Sequence, residues 1–364
     1  MELKTEKEQG KKIYFVIPAP LNISPGQRFR FEHYLEFLEE NGFEYTISSF
    51  YTPKGWKVLF VPDKMAKKIF LVLKGFGTRL KDMFCIRKYD FVFVFREMTP
   101  VGPPVFEYMV RFFFKKKIIY DFDDAIWVPA SSEYNKIAFF VKWFSKIGSI
   151  CKWSYRITPG NEYLGAFASA YNKNIVILPT VVDTQNVHNK IQDQSTTHPV
   201  IGWTGTFSTL KYLNIVLPVL QKMQQTIDFT FVVIAVKDPQ LPLKNYKFIP
   251  WQRNTETEDL LSIHIGVMPL YDDEFSKGKC GFKAIQYMSL GIPAVVSPVG
   301  VNTKIVDDGI NGFVCKDESE WEKRLTELLQ NKSLRERLGV QAQKKIDLSY
   351  SVKSTLQTFL SVFS

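Results

Sequence analysis

The chain has 364 residues, of which 45% are hydrophobic and 23% charged, so it is globular and too long for one ordinary hydrophobic core. Its formal net charge of +10 points to an anionic partner, whether a nucleotide, a membrane surface or nucleic acid. The four cysteines, Cys85, Cys151, Cys280 and Cys315, are widely spaced and form no CxxC pair, which argues against a zinc site or a disulfide framework and fits a reducing cytoplasm.

The N-terminal MELKTEKEQGKK lacks the apolar core of a signal peptide, and no apolar run is long enough to span a bilayer. Ile13 to Ile17 is a continuous apolar run that predicts a first, fully buried strand. In the stretch that follows, Phe31, Leu35 and Leu38 at helical spacing predict a helix from about Arg28 to Glu40, stopped by Gly42. Ser24, Gly26, Arg28 and Arg30 then fall at or near a helix N-terminus on the carboxyl side of a strand, where doubly wound sheets bind ligands. Two arginines oppose the helix dipole there, which hints at a use; the plainer reading pairs them with Glu32 or Glu36.

Residues 64 to 88 interleave cations with Ile69, Phe70, Leu71, Leu73, Phe76, Leu80, Met83 and Phe84, and residues 139 to 156 repeat the pattern. Each fits either a basic amphipathic helix on an anionic membrane surface or a core helix whose lysines snorkel. FVFVF at 91 to 95 predicts a buried strand with Arg96 and Glu97 at its carboxyl end. Ile118 to Tyr120 leads into DFDDAIW, where Asp121, Asp123 and Asp124 resemble a metal-binding carboxylate cluster. In a Rossmann-like half the expected roles are metal-free: one aspartate bonds a ligand hydroxyl and another caps the next turn. NEYLGAFA predicts a helix, Ile175 to Leu178 a strand, and the polar run 184 to 198 an interdomain linker.

The second half opens as strand, glycine turn and helix, VIGWTG then TFSTLKYLNIVLPVLQKM, so Gly205 and Thr206 place free amides at a helix start with Lys211 one or two turns in. Phe229 to Val236 reads as a buried strand, and Phe248 to Trp251 ends the next; Trp251 either stacks on a base or covers the core as a rim residue. His264 to Leu270 delivers the chain to GKCGFKAIQYMSLGIPAVVSPVG. If a helix begins near Gly281, Lys279, Lys283 and Gln286 fall at i, i+4 and i+7 on one face, while Phe282, Ile285 and Met288 or Ser289 pack on a sheet. Gly291 and Pro293 end that helix, and Ala294 to Val296 forms a buried strand. Such a loop suits a diphosphate; the plainer reading makes the lysines a solvated face. Helical spacing at Trp321, Leu325 and Leu328, at Leu334 and Leu338, and from about Ser351 to Phe363 completes the chain.

Together the 278 to 300 segment, DDGINGFV at 307 to 314 and DFDDAIW resemble the GT-B glycosyltransferases, specifically the retaining family 4 (group 1) enzymes. Gly278 and Gln286 hold the positions at which that family carries a glutamate pair. The resemblance implies an α/β fold with two Rossmann-like domains facing each other across a cleft: 1–185 binding acceptor, a linker at 186–198, 199–348 binding the donor, and 349–364 as a helix that crosses back to the first domain. It implies catalytic roles for Asp123, Asp124, Lys279 and Lys283. Gly205, Thr206, Lys211, Trp251, Cys280, Gly281, Phe282 and Gln286 would bind the donor, and Gly26, Arg28, Arg30 and Glu97 would line the acceptor side. Lys211 would hold the donor diphosphate, with Lys279 or Lys283 supplying the second charge, because Trp203 and Thr204 stand where the family has an arginine.

The expected reaction moves a sugar from a nucleotide-diphosphate sugar to a glycan or lipid-linked acceptor with retention, without metal, cofactor or protein nucleophile, in cell-surface polysaccharide or glycolipid assembly. The expected place is the cytoplasm, peripheral to an anionic membrane. Other readings are a nucleotide-sugar epimerase or sugar phosphorylase of the same fold, and a non-catalytic nucleotide-sugar or membrane-binding partner subunit. No nucleic-acid partner is expected, since the basic residues spread over two domains without a known module.

Overall fold

A computed structural model describes residues 10–61, 64–129 and 141–364. The first nine residues, and Phe139 and Phe140 of the second basic stretch, lie outside them. The chain divides into two compact units: Met1–Pro179 with Leu356–Ser364, and Thr180–Thr355.

The first unit is built on a parallel sheet in the order β2-β1-β3-β4-β5, with β1 Lys12–Ile17, β2 Glu44–Ser49, β3 Phe91–Phe95, β4 Lys117–Phe122 and β5 Arg156–Pro159. The strands β1, β3 and β4 are buried almost end to end, as central strands covered on both faces must be. Aromatic side chains fill the layer beside them: Phe15 stacks on Phe31 with centroids 5.3 Å apart, and Phe93 lies 4.9 Å from Phe15. The C-terminal helix Val352–Ser361 reaches this layer, laying Phe359 flat on Tyr34 at 4.1 Å and 8°. Strand order reverses between β1 and β3, and a ligand crevice forms outside the carboxyl ends of strands at such a point.

The helix expected over 28 to 40 is broken into α1 (Pro25–Arg28), a 3-10 turn at Glu32–Tyr34 and α2 (Leu35–Glu40). The Gln27 side chain binds both the amide and the carbonyl of Ala19, folding the chain back before one long helix can form. Arg28 therefore sits in the last turn of α1, where the dipole favours a cation, and not at a helix N-terminus. Ile175 to Leu178 forms only an isolated bridge to β5, extended but short of a regular strand. Two more helices follow β2, α3 (Pro53–Leu59) and the long α4 (Met65–Cys85).

The second unit carries the order β11-β10-β9-β6-β7-β8, all parallel, from β6 Val200–Gly205, β7 Thr230–Ala235, β8 Tyr246–Pro250, β9 Ile265–Met268, β10 Ala294–Val296 and β11 Gly312–Val314. Here the order reverses between β6 and β9. Trp203, Phe231, Val233, Trp321, Leu325 and Leu328 are among its core side chains. The polar run 184 to 198 is not a free tether, because Gln192 and Gln194 donate to backbone carbonyls of Leu261, Ile263 and His264 and the buried Arg335 clasps Gln194.

Candidate functional site

In the first unit three strand ends bring together side chains far apart in sequence. Arg96 follows β3 with φ +62, a left-handed conformation uncommon for a non-glycine residue. Its amide donates to the Asp121 carbonyl at 2.7 Å, which fixes the turn and aims the guanidinium at the end of β4. There Nε donates to Asp123 Oδ1 at 2.8 Å and Nη2 to Asp124 Oδ2 at 2.7 Å. The β1 loop closes on the same carboxylate: a Cβ added to Gly26 would lie 2.9 Å from Asp123 Oδ2, so a larger residue there would have to push that carboxylate aside.

The electrostatics follow from this crowding. Burial pushes the Asp123 carboxyl up; Arg96 pulls it down and the neighbouring Asp124 pushes it up again, leaving it above the usual carboxylate range. Burial lowers the Arg96 guanidinium, but Asp123 and Asp124 more than offset it and the net shift is upward. Next in the chain, Glu97 Oε2 pairs with the buried Lys146 at 2.8 Å. Lys142 lies in the field of Glu97, Arg96 and Asp124, and burial lowers its ammonium.

Asp121 and Arg30 lie beneath this surface. Both side chains are fully buried, and Arg30 forks onto the carboxylate with Nε at 3.1 Å and Nη2 at 2.6 Å while Thr158 donates to the same group at 2.7 Å. Arg30 is thus paired with Asp121 across the sheet. Arg28, also buried, lies over the Phe29 ring at 4.3 Å.

In the second unit the loops after β6 and β9 meet at the reversal point. Thr206 and Thr209 form a capping box in which the Thr206 amide donates to Thr209 Oγ1 at 3.0 Å, so that amide is occupied rather than open. The segment Phe207–Ile215 is a 3-10 helix, with an α-helix only at Leu217–Met223, because Pro218 interrupts the donor series. Tyr212 OH shares a hydrogen bond with the buried Ser276 at 3.0 Å, and Tyr271 OH donates to the Lys211 carbonyl at 3.4 Å; these two contacts tie the loops together. Lys211 is exposed, its Nζ 5.3 Å from the Tyr212 ring.

The second loop ends at Gly281, which caps the helix Phe282–Ser289 with φ +67. A Cβ there would meet Ile305 Cδ1 at 2.0 Å, so conformation and space both demand glycine. Lys279 lies over the Phe275 ring at 4.2 Å and Lys283 over the Trp203 ring at 5.6 Å, both half-buried at the positive end of the helix. Cys280 is buried and Phe282 half-buried. Gln286 is 2% exposed and its Nε2 meets no acceptor. Tyr287 crosses to β6 and donates to no carbonyl there; its hydroxyl instead accepts from the Thr204 amide at 2.8 Å. At the end of β8 the half-buried Trp251 donates its indole N–H to Glu256 at 3.1 Å.

From the sequence Asp123 and Asp124 were expected to be catalytic and Gly26 to line the acceptor side; the structure brings Gly26 against Asp123. Arg96 was legible only as an arginine at the carboxyl end of an apolar strand, with no role assigned to it, and nothing in the sequence pointed to the Tyr212, Tyr271 and Ser276 ties.

Residues 198–331 match the family model described as Glycosyl transferases group 1. Over 79 residues the chain is 27% identical to spore coat protein SA of Bacillus subtilis (strain 168), a match that spans 21% of this chain and 21% of that protein. Among solved structures, sucrose-phosphate synthase from Thermosynechococcus elongatus superposes with a TM-score of 0.74 at 12% identity, over 97% of this chain and 98% of that one. Anabaena HepE, solved in complex with UDP and glucose, gives 0.64 at 13% identity, over 97% and 99%. The chain therefore has the GT-B fold, and most of its second unit is similar to the group 1 glycosyltransferases.

Proposed function

We propose that the protein transfers a sugar from a nucleotide-diphosphate sugar to a glycan or lipid-linked acceptor, with retention at the anomeric carbon and without a metal ion. The observation that carries this reading is the Gly281 turn at the strand-order reversal of the second unit, where Lys279 and Lys283 flank a helix start and the buried Gln286 offers an N–H without an acceptor. That set suits a diphosphate and a ribose hydroxyl, and the match to HepE, solved with UDP and glucose, supports the same ligand class.

In this reading the second unit binds the donor and the first the acceptor. The bond between the anomeric carbon and the diphosphate oxygen breaks, its electron pair stays on the diphosphate, and the acceptor oxygen forms the new bond on the same face. Lys211, Lys279, Lys283 and the Gly281 amide stabilise the leaving charge, and the leaving oxygen takes the acceptor proton, so no protein nucleophile is required. Asp123 and Asp124, held by Arg96, accept hydrogen bonds from substrate hydroxyls. The setting we propose is cell-surface polysaccharide or glycolipid assembly on the cytoplasmic side of the membrane, and four cysteines that form no disulfide fit such a reducing compartment.

One observation favours a second reading. Gly278 and Gln286 stand where the family carries its glutamate pair, which suits a nucleotide-sugar-binding subunit without turnover. The deciding experiment incubates the protein with UDP-, GDP-, ADP- and dTDP-sugars, with and without chelator, and measures free nucleotide diphosphate beside Lys283→Ala. Slow, donor-selective release that the substitution abolishes supports the transferase. Tight binding of a donor with no release, even in the presence of glycan and lipid acceptors, supports the subunit, and no binding removes both readings.

A further inference from the structure

The helix α4 is folded inside out. Its buried face carries charge: Arg79 is fully buried, donating from Nε to the Met98 carbonyl at 2.7 Å, from Nη2 to the Ile17 carbonyl at 2.8 Å and from Nη1 to Asp82 at 2.7 Å. Asp82 in turn accepts from Tyr14 OH at 2.8 Å and from Ser48 Oγ at 2.9 Å. Its outer face is apolar, with Ile69, Phe70, Leu73, Leu80 and Phe84 between 55% and 73% exposed. The helix cannot roll to hide these side chains, because turning it would strand the Arg79–Asp82 pair.

The exposed face has an order of its own. At about 100° per residue, Ile69, Leu73, Leu80 and Phe84 form one stripe with Phe70 on its flank. Lys67, Lys74 and Lys81, spaced by sevens and all exposed, run as a single row along one edge of it. The one acidic residue of α4 is the buried Asp82, so nothing anionic interrupts the row. The Phe76–Phe106 contact joins α4 to the helix beginning at Val105, which exposes Phe112 and Phe113 beside Arg111 and Lys115. Among the described residues no helix is long and apolar enough to cross a membrane. An apolar stripe about 22 Å long with a one-sided row of lysines fits the plane between headgroups and acyl chains, with the ammonium groups reaching outward to phosphates. The same single-sign edge disfavours a second copy of the chain as the occupant.

We infer that α4 is a membrane-seating helix, lying flat in the surface of an anionic lipid bilayer with Ile69, Leu73, Leu80 and Phe84 in the acyl boundary and Lys67, Lys74 and Lys81 on lipid phosphates. This deepens the reading of a lipid-linked acceptor, on which its purpose rests, while its geometry stands on α4 alone. The experiment sediments the whole protein with vesicles of phosphatidylcholine, with and without phosphatidylglycerol, at low and high salt. Retention at least about tenfold greater on the anionic vesicles at low salt is expected, weakened by salt. Leu73→Ser with Phe84→Ser, and separately Lys67→Glu with Lys74→Glu and Lys81→Glu, should each lower retention by about tenfold or more with unchanged thermal melting, since all five residues are exposed. As a positive readout, Leu73→Trp should show blue-shifted emission quenched by lipids brominated on the acyl chain.

Unchanged retention in both variant sets would overturn the inference, as would a wild-type dimer that Leu73→Ser dissociates without any vesicle binding. Nucleotide titrations on the same samples separate the two claims. Vesicle binding without nucleotide binding sustains this inference and removes the transferase, whereas nucleotide binding without vesicle retention does the reverse.

Discussion

Arg96 and Asp123 are bound to one another through Nε and Oδ1, 2.8 Å apart, and the same guanidinium reaches Asp124 at 2.7 Å. Two adjacent carboxylates repel, so one fork sets both their positions and their charge. Replacing Arg96 with Gln should lower kcat/KM by about a hundredfold through misplacement. It should also move the acid limb of the pH profile upward, because the cation that opposes burial at Asp123 is gone. Arg96→Lys keeps the charge without the fork: the limb stays and kcat falls. A pH profile identical in all three proteins would remove this role.

The pair beneath behaves differently. Arg30 and Asp121 are each fully buried, so deleting one partner leaves the other charged and dry. Arg30→Ala should destabilise the first unit by about 3–5 kcal/mol in urea unfolding, while Arg30→Met combined with Asp121→Leu should recover most of that loss. Equal destabilisation by the single and double variants would mean that the bonds to Thr158, and not the ion pair, set the cost.

These two pairs show what was legible in the chain. FVFVF and the run before Pro18 read as strands because both faces are buried, which leaves no polar residue to blur the pattern. The strand β2 was missed because Glu44 and Thr46 are exposed and Ser48 and Ser49 carry no apolar signal, as suits a sheet edge. The three aspartates of DFDDAIW stood out as a group, yet their division into a buried Asp121 and a shared Asp123 and Asp124 depends on arginines 91 and 27 positions away. Only the strand order supplies those neighbours. Likewise the capped 3-10 start at Thr206 turned on a hydroxyl three residues ahead and a proline twelve residues on.

A third prediction concerns pH. His264 accepts the Val200 amide at 3.2 Å through Nδ1; burial, with Arg335 nearby, lowers its pKa from 6.5 to about 4. The folded chain therefore keeps His264 neutral where the unfolded chain has already bound a proton. Its contribution to stability is complete above pH 6.5 and is lost as pH falls toward 4, a change that solvent screening of the half-buried ring holds below about 3 kcal/mol. Urea midpoints of the wild type should fall across that window more steeply than those of His264→Asn. Parallel curves would show that other groups carry the acid sensitivity.

Gln286 gives the sharpest test of the donor site, because its two expected effects have opposite signs. The buried Nε2 group of a residue 2% exposed, without an acceptor, carries a desolvation penalty of about 1–3 kcal/mol that the ligand-free fold does not recover. Leucine of similar size removes the penalty, so Gln286→Leu should leave the free protein as stable as before or up to about 1 kcal/mol more stable. If a ribose or phosphate oxygen is the missing acceptor, the same change should weaken nucleotide-sugar binding about tenfold, and the thermal shift on adding donor should shrink accordingly. Loss of both stability and affinity would make Gln286 a packing residue. A stabilised protein with undiminished affinity would place the donor away from this helix. Only higher or equal stability with weaker binding matches a side chain held ready for a ligand, and calorimetry of wild type and variant, with and without the donor, reads both quantities from the same samples.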